Sequence, residues 1–227
     1  MSDLKNKRVI TACLCGSWPT RKDNPAVPYL PAEIAEDAIE CWKAGAAIVH
    51  IHVREPDGTP SIRYELYKET VDRIRAYPGC DVCINITSSG KDGGTDEERI
   101  DPIRKLLPEL ASYDCGSLNW QNNTIFQNHP RFLEKLGYAL QEVNVKPEIE
   151  IFDAGMVYNA IHYIKTGVLK APCHFQIVLG AAGGMTNTVE NLVYLKSILP
   201  EDCTWAGCGI GSGHMPMMLA TIALGGH

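Results

Sequence analysis

The sequence predicts an α/β fold, a (β/α)8 TIM barrel whose eighth strand–helix unit is missing from the chain. Short strands that are apolar on both faces alternate with helices, which is typical of a parallel sheet covered by helices. Seven such units follow one another, and a barrel needs eight. An open doubly wound sheet is the alternative, but the first strand lacks the glycine-rich turn of a dinucleotide-binding sheet. We expect a single domain over residues 1–227.

The first four units are marked by apolar runs and by the loops that separate them. Strands are predicted at 9–15, 47–53, 82–87 and 110–115. A proline-rich loop (18–31) precedes a helix at about 32–44, and the turn Glu55-Pro-Asp-Gly-Thr-Pro precedes a helix at 64–77. A glycine-rich loop (88–94) leads to a helix near 97–106, and the next helix is predicted near 131–142.

The last three units repeat this pattern. Strands are predicted at 147–152, 174–179 and 204–209, and the helices that follow them at 156–165, 189–199 and 216–224. The eighth strand would begin after Gly225-Gly226-His227, where the chain ends. We therefore expect the natural protein to be longer.

The composition of the chain indicates which kinds of partner it can bind. The chain has 21 Lys and Arg against 27 Asp and Glu, a net charge of -6, which argues against a nucleic-acid surface. No apolar run approaches the length of a membrane helix, and the amino terminus is polar. The nine cysteines are odd in number and lie mostly in apolar stretches, unlike a secreted disulfide framework. These features predict a cytoplasmic protein with a small-molecule partner.

The motif Ile48-Val-His50-Ile-His52-Val-Arg54 carries the clearest chemical signal. Alternate residues of a strand face the same side, so His50 and His52 point together near the carboxyl end of the second strand. Barrel active sites are built at that end, and imidazole is a natural zinc ligand. The alternative is a hydrogen-bonded pair of core histidines.

The fifth strand alternates acids with isoleucines. Glu148 and Glu150 share one face of this strand, and a buried carboxylate is costly unless it is paired or bound to a metal. Glu148 lies near the start of the strand, where we expect it to be wet or to pair with Lys146. Glu150 lies toward the functional end. A structural ion pair is the alternative for both.

Neutral polar residues near other strand ends are candidates for orienting a substrate. They are Asn85, Thr87, Ser112 and Asn119, together with Asp114. Each could equally be a satisfied core polar group. The turn Gly211-Ser212-Gly213 precedes a helix, and its bare amides suit a phosphate group.

The chain resembles the β-keto acid cleavage enzymes. The resemblance extends from the first strand to His227 through "VITACLCGS", "NPAVPYLPAEIAEDAIECWKAGA", "AGAAIVHIHVREPDGTPS", "PEIEIFDAGMV", "HFQIVLG" and "LGGH". It implies a (β/α)8 barrel, commonly a homotetramer. It also implies a reversible acyl exchange between a β-keto acid and acetyl-CoA, which yields acetoacetate and a new CoA thioester by a retro-Claisen step.

The resemblance also implies residue roles. His50 and His52 match the zinc ligands, and Glu150 matches the active-site glutamate. Thr87, Gly90 and Ser112 match positions that contact the substrate. With acetyl-CoA as co-substrate, Gly211, Ser212 and Gly213 become candidates for binding CoA.

The chain departs from the family pattern at two places. Trp18 stands where the aminohexanoate enzyme has an acid facing the substrate's amino group, so we expect a substrate with an uncharged or apolar far end. A quaternary amine is the second choice, through cation–π attraction. The Arg, Glu and Asp of the family's eighth strand would follow His227. If the sequence is complete, we expect weak zinc binding and no turnover.

Two other functions stay open at this point. His-x-His pairs also occur in zinc hydrolases of the amidohydrolase type, although there the pair lies on the first strand. A non-catalytic barrel fragment is the other alternative. A requirement for acetyl-CoA separates the transferase from the hydrolase, and the absence of bound zinc would favour the fragment.

Overall fold

The computed structural model describes residues 7–89, 91 and 93–227. These residues form two compact units. The amino-terminal unit contains Val9–Ser112 and Val143–Lys146. The carboxyl-terminal unit contains Tyr113–Glu142 and Pro147–His227, with the described part of Met1–Arg8.

The amino-terminal unit is built from parallel strands and the helices that follow them. Its elements are β1 (Thr11–Cys13), α1 (Pro31–Lys43), β2 (Ile48–Ile51), β3 (Val53–Arg54), β4 (Pro60–Ser61), α2 (Tyr64–Ala76), β5 (Cys83–Ile86), α3 (Asp96–Leu106) and the first three residues of β6 (Leu110–Asp114). The strands β1, β2, β5 and β6 are neighbours in that order, all parallel. In this register His50 lies opposite Cys13 on one side and Asn85 on the other.

The carboxyl-terminal unit repeats the same arrangement. It contains the end of β6, then α4 (Pro130–Glu142), β7 (Lys146–Ile151, from its second residue), α5 (Ala154–Lys165), β8 (Cys173–Leu179), α6 (Val189–Ile198), β9 (Cys203–Gly209) and α7 (His214–Ala223). The strands β7, β8 and β9 are parallel neighbours, with Glu148 opposite His174 and Glu150 opposite Gln176.

Side-chain caps fix where several helices begin. The Thr95 side chain accepts the backbone N–H of Glu98, and the Glu98 carboxylate accepts the backbone N–H of Thr95, which together form a capping box before α3. Asp153 caps α5 and Thr188 caps α6 in the same way, each by accepting a backbone N–H of the first turn. These caps satisfy amides that an α-helix leaves without partners.

The α/β class and the seven strand–helix units predicted from the sequence are confirmed among the described residues. Helices begin at most two residues earlier than predicted. The sequence missed a short antiparallel pair, in which Val53 and Arg54 lie opposite Ser61 and Pro60. The turn between them is closed by the Glu55 N–H donating to the Thr59 carbonyl at 2.9 Å. Strand two is therefore shorter than expected and ends before His52.

None of the helices in the described part of the chain combines the length and the apolar character that crossing a bilayer requires.

Candidate active site

In the amino-terminal unit, His50 and His52 point to the same side of their strand. Their ring centroids lie 5.0 Å apart, with the planes tilted by 54°. Val49 and Ile51, which alternate with them, are fully buried on the opposite face. The structure thus confirms the common orientation predicted from the alternation of strand residues.

Burial keeps both imidazoles neutral. It lowers the pKa of His50 from 6.5 to about 4. The pKa of His52 is lowered well below its usual value, first by burial and then by the charges of His50 and Arg54. Among the described residues, Nδ1 of His52 is buried and has no hydrogen-bond partner. Two neutral imidazoles, one of them with an unused ring nitrogen, suit metal binding because only the unprotonated ring can be a ligand.

A cluster of hydroxyl groups lies where β5 and β6 meet in the same unit. The backbone N–H of Ser88 donates to Oγ of Ser112 at 3.0 Å, and Oγ1 of Thr87 lies 3.4 Å from the same oxygen. Thr87 and Ser112 are both buried, with exposed fractions of 3% and 0%. The structure therefore brings these two predicted substrate residues together. Gly90, the third, lies outside the described residues.

The loop between β1 and α1 carries Trp18. The indole is 55% exposed, and the backbone on both sides of it is hydrogen-bonded to the buried Arg54 side chain. Its accessible face leaves Trp18 available to a ligand. Its proposed contact with a substrate tail stays a prediction.

In the carboxyl-terminal unit, Glu148 is not at the wet end of its strand as we had expected. It is buried, and its Oε2 lies 3.8 Å from Nε2 of His174. His174 is held on its other side by Oγ1 of Thr204, 2.8 Å from Nδ1. The register of β7 and β8 explains this contact because Glu148 and His174 are direct neighbours across the ladder. The expected exposure of Glu148 was therefore wrong.

Glu150 lies beside a second acid, Asp114 at the end of β6. Burial raises the pKa of Glu150 well above its usual range, and the charges of Asp114 and Glu148 and a hydrogen bond with Asp114 raise it further. These surroundings therefore favour the protonated form of Glu150. The sequence had marked Asp114 only as one polar strand residue among several, although an acid inside an apolar strand is itself a signal of a partner.

Cys208 on β9 also borders these carboxylates. Burial, with the charge of Glu150 as the next cause, raises the pKa of its thiol to about 12. The hydrogen bond with Gln176 acts in the opposite direction. The thiol is thus neutral, and it adds no further negative charge beside the two acids.

The remaining candidates in this unit lie in loops. Asn119 is exposed, and the turn Gly211–Gly213 leads directly into α7. A side chain at Gly213 would come within 2.1 Å of Nδ2 of Asn187, so a larger residue there would displace the Asn187 amide. Gly211 and Ser212 are exposed. Their proposed contact with CoA stays a prediction.

Comparison with known protein families gives a match over nearly the whole chain. A family described as beta-keto acid cleavage enzyme matches residues 7–227. The 3-keto-5-aminohexanoate cleavage enzyme of Fusobacterium nucleatum subsp. nucleatum is 42% identical over 225 residues, which are 99% of this chain and 81% of that protein. The 3-dehydrocarnitine:acetyl-CoA trimethylamine transferase of Rhizobium meliloti is 31% identical over 96% of this chain and 79% of that protein.

A solved structure shares the fold. The apo structure of ObcA superposes with a TM-score of 0.78 over 88% of this chain and 54% of that one, at 18% sequence identity. The chain thus spans about half the length of ObcA, and the likeness concerns the fold alone.

Proposed function

Because the chain belongs to the β-keto acid cleavage enzyme family, we propose that it exchanges acyl groups between a β-keto acid and acetyl-CoA with the help of a bound zinc ion. The products would be acetoacetate and a new CoA thioester. The pair of neutral imidazoles, His50 and His52, carries this proposal because it supplies metal ligands at neutral pH.

The donor chemistry supports zinc. His50 is a buried, neutral imidazole, and His52 offers the ring nitrogen described above. We propose His50 and His52 as the protein's nitrogen ligands, with carboxylate oxygen as the third donor type. A bound zinc ion would polarise the keto oxygen of the substrate.

The chain's own groups would bind the substrate and move its protons. Glu150, whose protonated form is favoured by its surroundings, would donate a hydrogen bond or a proton to a substrate oxygen. The hydroxyls of Thr87 and Ser112 would donate to the substrate carboxylate, with Gly90 and Asn119 as further contacts.

Two loops would select the substrates. Trp18 would pack an apolar tail or face a quaternary amine, and the relative named for 3-dehydrocarnitine supports the second choice. Gly211, Ser212 and Gly213, which lead into α7, would bind a phosphate of CoA through their amides.

The proposal is tested by measuring acetoacetate formed from acetyl-CoA and three β-keto acids: 3-oxohexanoate, 3-oxoadipate and 3-dehydrocarnitine. We expect the fastest turnover with 3-oxohexanoate and weaker turnover with 3-dehydrocarnitine. Turnover should be slowest with 3-oxoadipate, whose far end carries a second carboxylate. The variants His50→Gln and His52→Gln should lose both bound zinc and activity, whereas His162→Gln, a change at an exposed imidazole, should lose neither. Keto-acid cleavage without acetyl-CoA would show a hydrolase instead.

Three broader features are also proposed, the first two on the same resemblance and the third on the composition of the chain. They are closure of the strands in a (β/α)8 barrel, assembly as a homotetramer and residence in the cytoplasm. Light scattering of the purified protein tests the second directly.

A further inference from the structure

Arg54 ends the motif that contains the two histidines, but its side chain has no part in the function proposed above. The side chain is almost fully buried, with 1% of its surface exposed. Burying a charge is expensive unless it is compensated by close polar groups. The surroundings of this guanidinium therefore indicate what it is for.

The guanidinium group binds backbone carbonyls from two loops. Its Nη1 donates to the Gly58 carbonyl at 2.8 Å. Its Nη2 donates to the carbonyls of Gly16 and Pro19, also at 2.8 Å, and lies 3.4 Å from that of Cys15. The partners at 2.8 Å are all backbone carbonyls rather than carboxylates, and the Cys15 side chain also hydrogen-bonds with the guanidinium.

An aromatic ring completes this environment. The guanidinium carbon lies 5.3 Å from the centre of the Tyr29 ring, and that of Arg21 lies 4.3 Å from the same ring. The Tyr29 hydroxyl accepts the backbone N–H of Arg21 at 2.8 Å. Gly58 has φ +89, and a side chain there would come within 2.4 Å of the ring. The loop is thus anchored near both of its ends, through the carbonyls at 16 and 19 and through Tyr29.

Trp18 lies inside the anchored part of this loop. The two carbonyls bound at 2.8 Å belong to the residues two before and one after it. Its indole is exposed, so the backbone rather than packing sets the place of the ring. We propose that Arg54 is a positioning residue that acts through Trp18 to set the keto-acid tail that the enzyme prefers. This inference rests on the substrate role of Trp18 in the proposed function.

The chemistry requires arginine. A planar guanidinium has donors on separate nitrogens, so one group can bind Gly58 on one side and the Trp18 loop on the other. A lysine ammonium keeps the charge but has a single nitrogen. Arg54→Lys is therefore the informative change, since it removes the fork without removing the cation.

Limited proteolysis tests whether Arg54 holds the loop, independently of any activity. Trypsin can cut this loop after Arg21 and Lys22, the latter exposed. In Arg54→Lys we expect this cleavage to be roughly tenfold faster, the scale of one lost charge-assisted hydrogen bond. The matched control is Arg75→Lys, because Arg75 also donates to a backbone carbonyl, that of Val82 at 2.8 Å. An unchanged cleavage rate in Arg54→Lys, or equal acceleration in the control, would overturn the proposal.

Steady-state kinetics then test whether Arg54 acts through Trp18. With acetyl-CoA and 3-oxohexanoate, Arg54→Lys should raise the KM for the keto acid roughly tenfold. The kcat and the KM for acetyl-CoA should change by less than about twofold, because only the tail contact is altered. In a Trp18→Ala background the same substitution should add nothing. Independent, additive effects would refute action through Trp18.

The two proposals fail in different ways. If Trp18→Ala alone leaves the keto-acid KM unchanged, the substrate role of Trp18 is wrong, while the proteolysis result still decides whether Arg54 holds the loop. If circular dichroism shows that Arg54→Lys does not fold, Tyr29→Leu can be tested in its place, because it removes the aromatic face of the same anchor. It is expected to accelerate cleavage in the same direction, and no acceleration would count against the anchor.

Discussion

The depressed pKa of His50 makes a quantitative prediction about folding. In the folded protein this pKa is about 4, against 6.5 for an unperturbed histidine. As the pH falls, the unfolded chain therefore binds a proton at His50 at a higher pH than the folded protein does. Stability is fully present above the unfolded pKa, and it is lost as the pH falls toward 4. The total contribution is about 3 kcal/mol, since one pKa unit corresponds to about 1.4 kcal/mol.

Urea unfolding of the EDTA-treated protein at several pH values measures this contribution. Between pH 7.5 and pH 5 the chain should lose about 2 kcal/mol of unfolding free energy through His50 alone. His50→Gln should not lose this part, because glutamine does not titrate. The difference between the two proteins isolates His50 from other groups. Parallel pH curves for the natural chain and His50→Gln would refute the reasoning.

Two further predictions concern buried groups. Glu150→Gln should lower turnover with acetyl-CoA at least about a hundredfold. Because the raised pKa of Glu150 means that its charged form is disfavoured in the folded state, this variant should become more stable relative to the natural chain as the pH rises above the usual carboxyl range. Tyr67→Phe should raise the unfolding free energy in urea by about 1 kcal/mol, since the buried Tyr67 hydroxyl has no partner among the described residues. The matched Tyr113→Phe should lower it by about as much, because it removes a 2.9 Å hydrogen bond to the Leu133 carbonyl. A loss of stability in Tyr67→Phe would contradict the prediction for the unpartnered Tyr67 hydroxyl.

Local patterns determined most of the fold, which is why the sequence predicted it well. Strands such as Cys173–Leu179 are rich in apolar residues and mostly buried, and helix starts carry caps such as Thr95 with Glu98. The short antiparallel pair was missed because it joins two residues to two others across a tight turn. Two-residue strands leave no periodic pattern to detect.

The residue types of the candidate site could be predicted from the sequence. The side chains that contact these residues could be predicted less well. The His50-x-His52 spacing alone gave the common orientation of the two rings. The contact of Glu148 with His174 depends on the register between β7 and β8, and the pairing of Glu150 with Asp114 depends on which strands are neighbours. These are non-local facts that spacing along one strand does not contain. The membership in the β-keto acid cleavage enzyme family, read from motifs, is confirmed.

The carbonyl groups around Arg54 have a consequence for the conditions under which the protein can work. A carbonyl dipole does not titrate, whereas an ion pair with a carboxylate weakens when the acid is protonated. Dissolved ions also screen buried groups far less than exposed charges. The contacts of Arg54 with the loop that carries Trp18 should therefore persist across changes of acidity and ionic strength that alter the charge around Glu150. The part of the substrate preference that depends on these contacts would then stay constant while the catalytic rate changes with the medium.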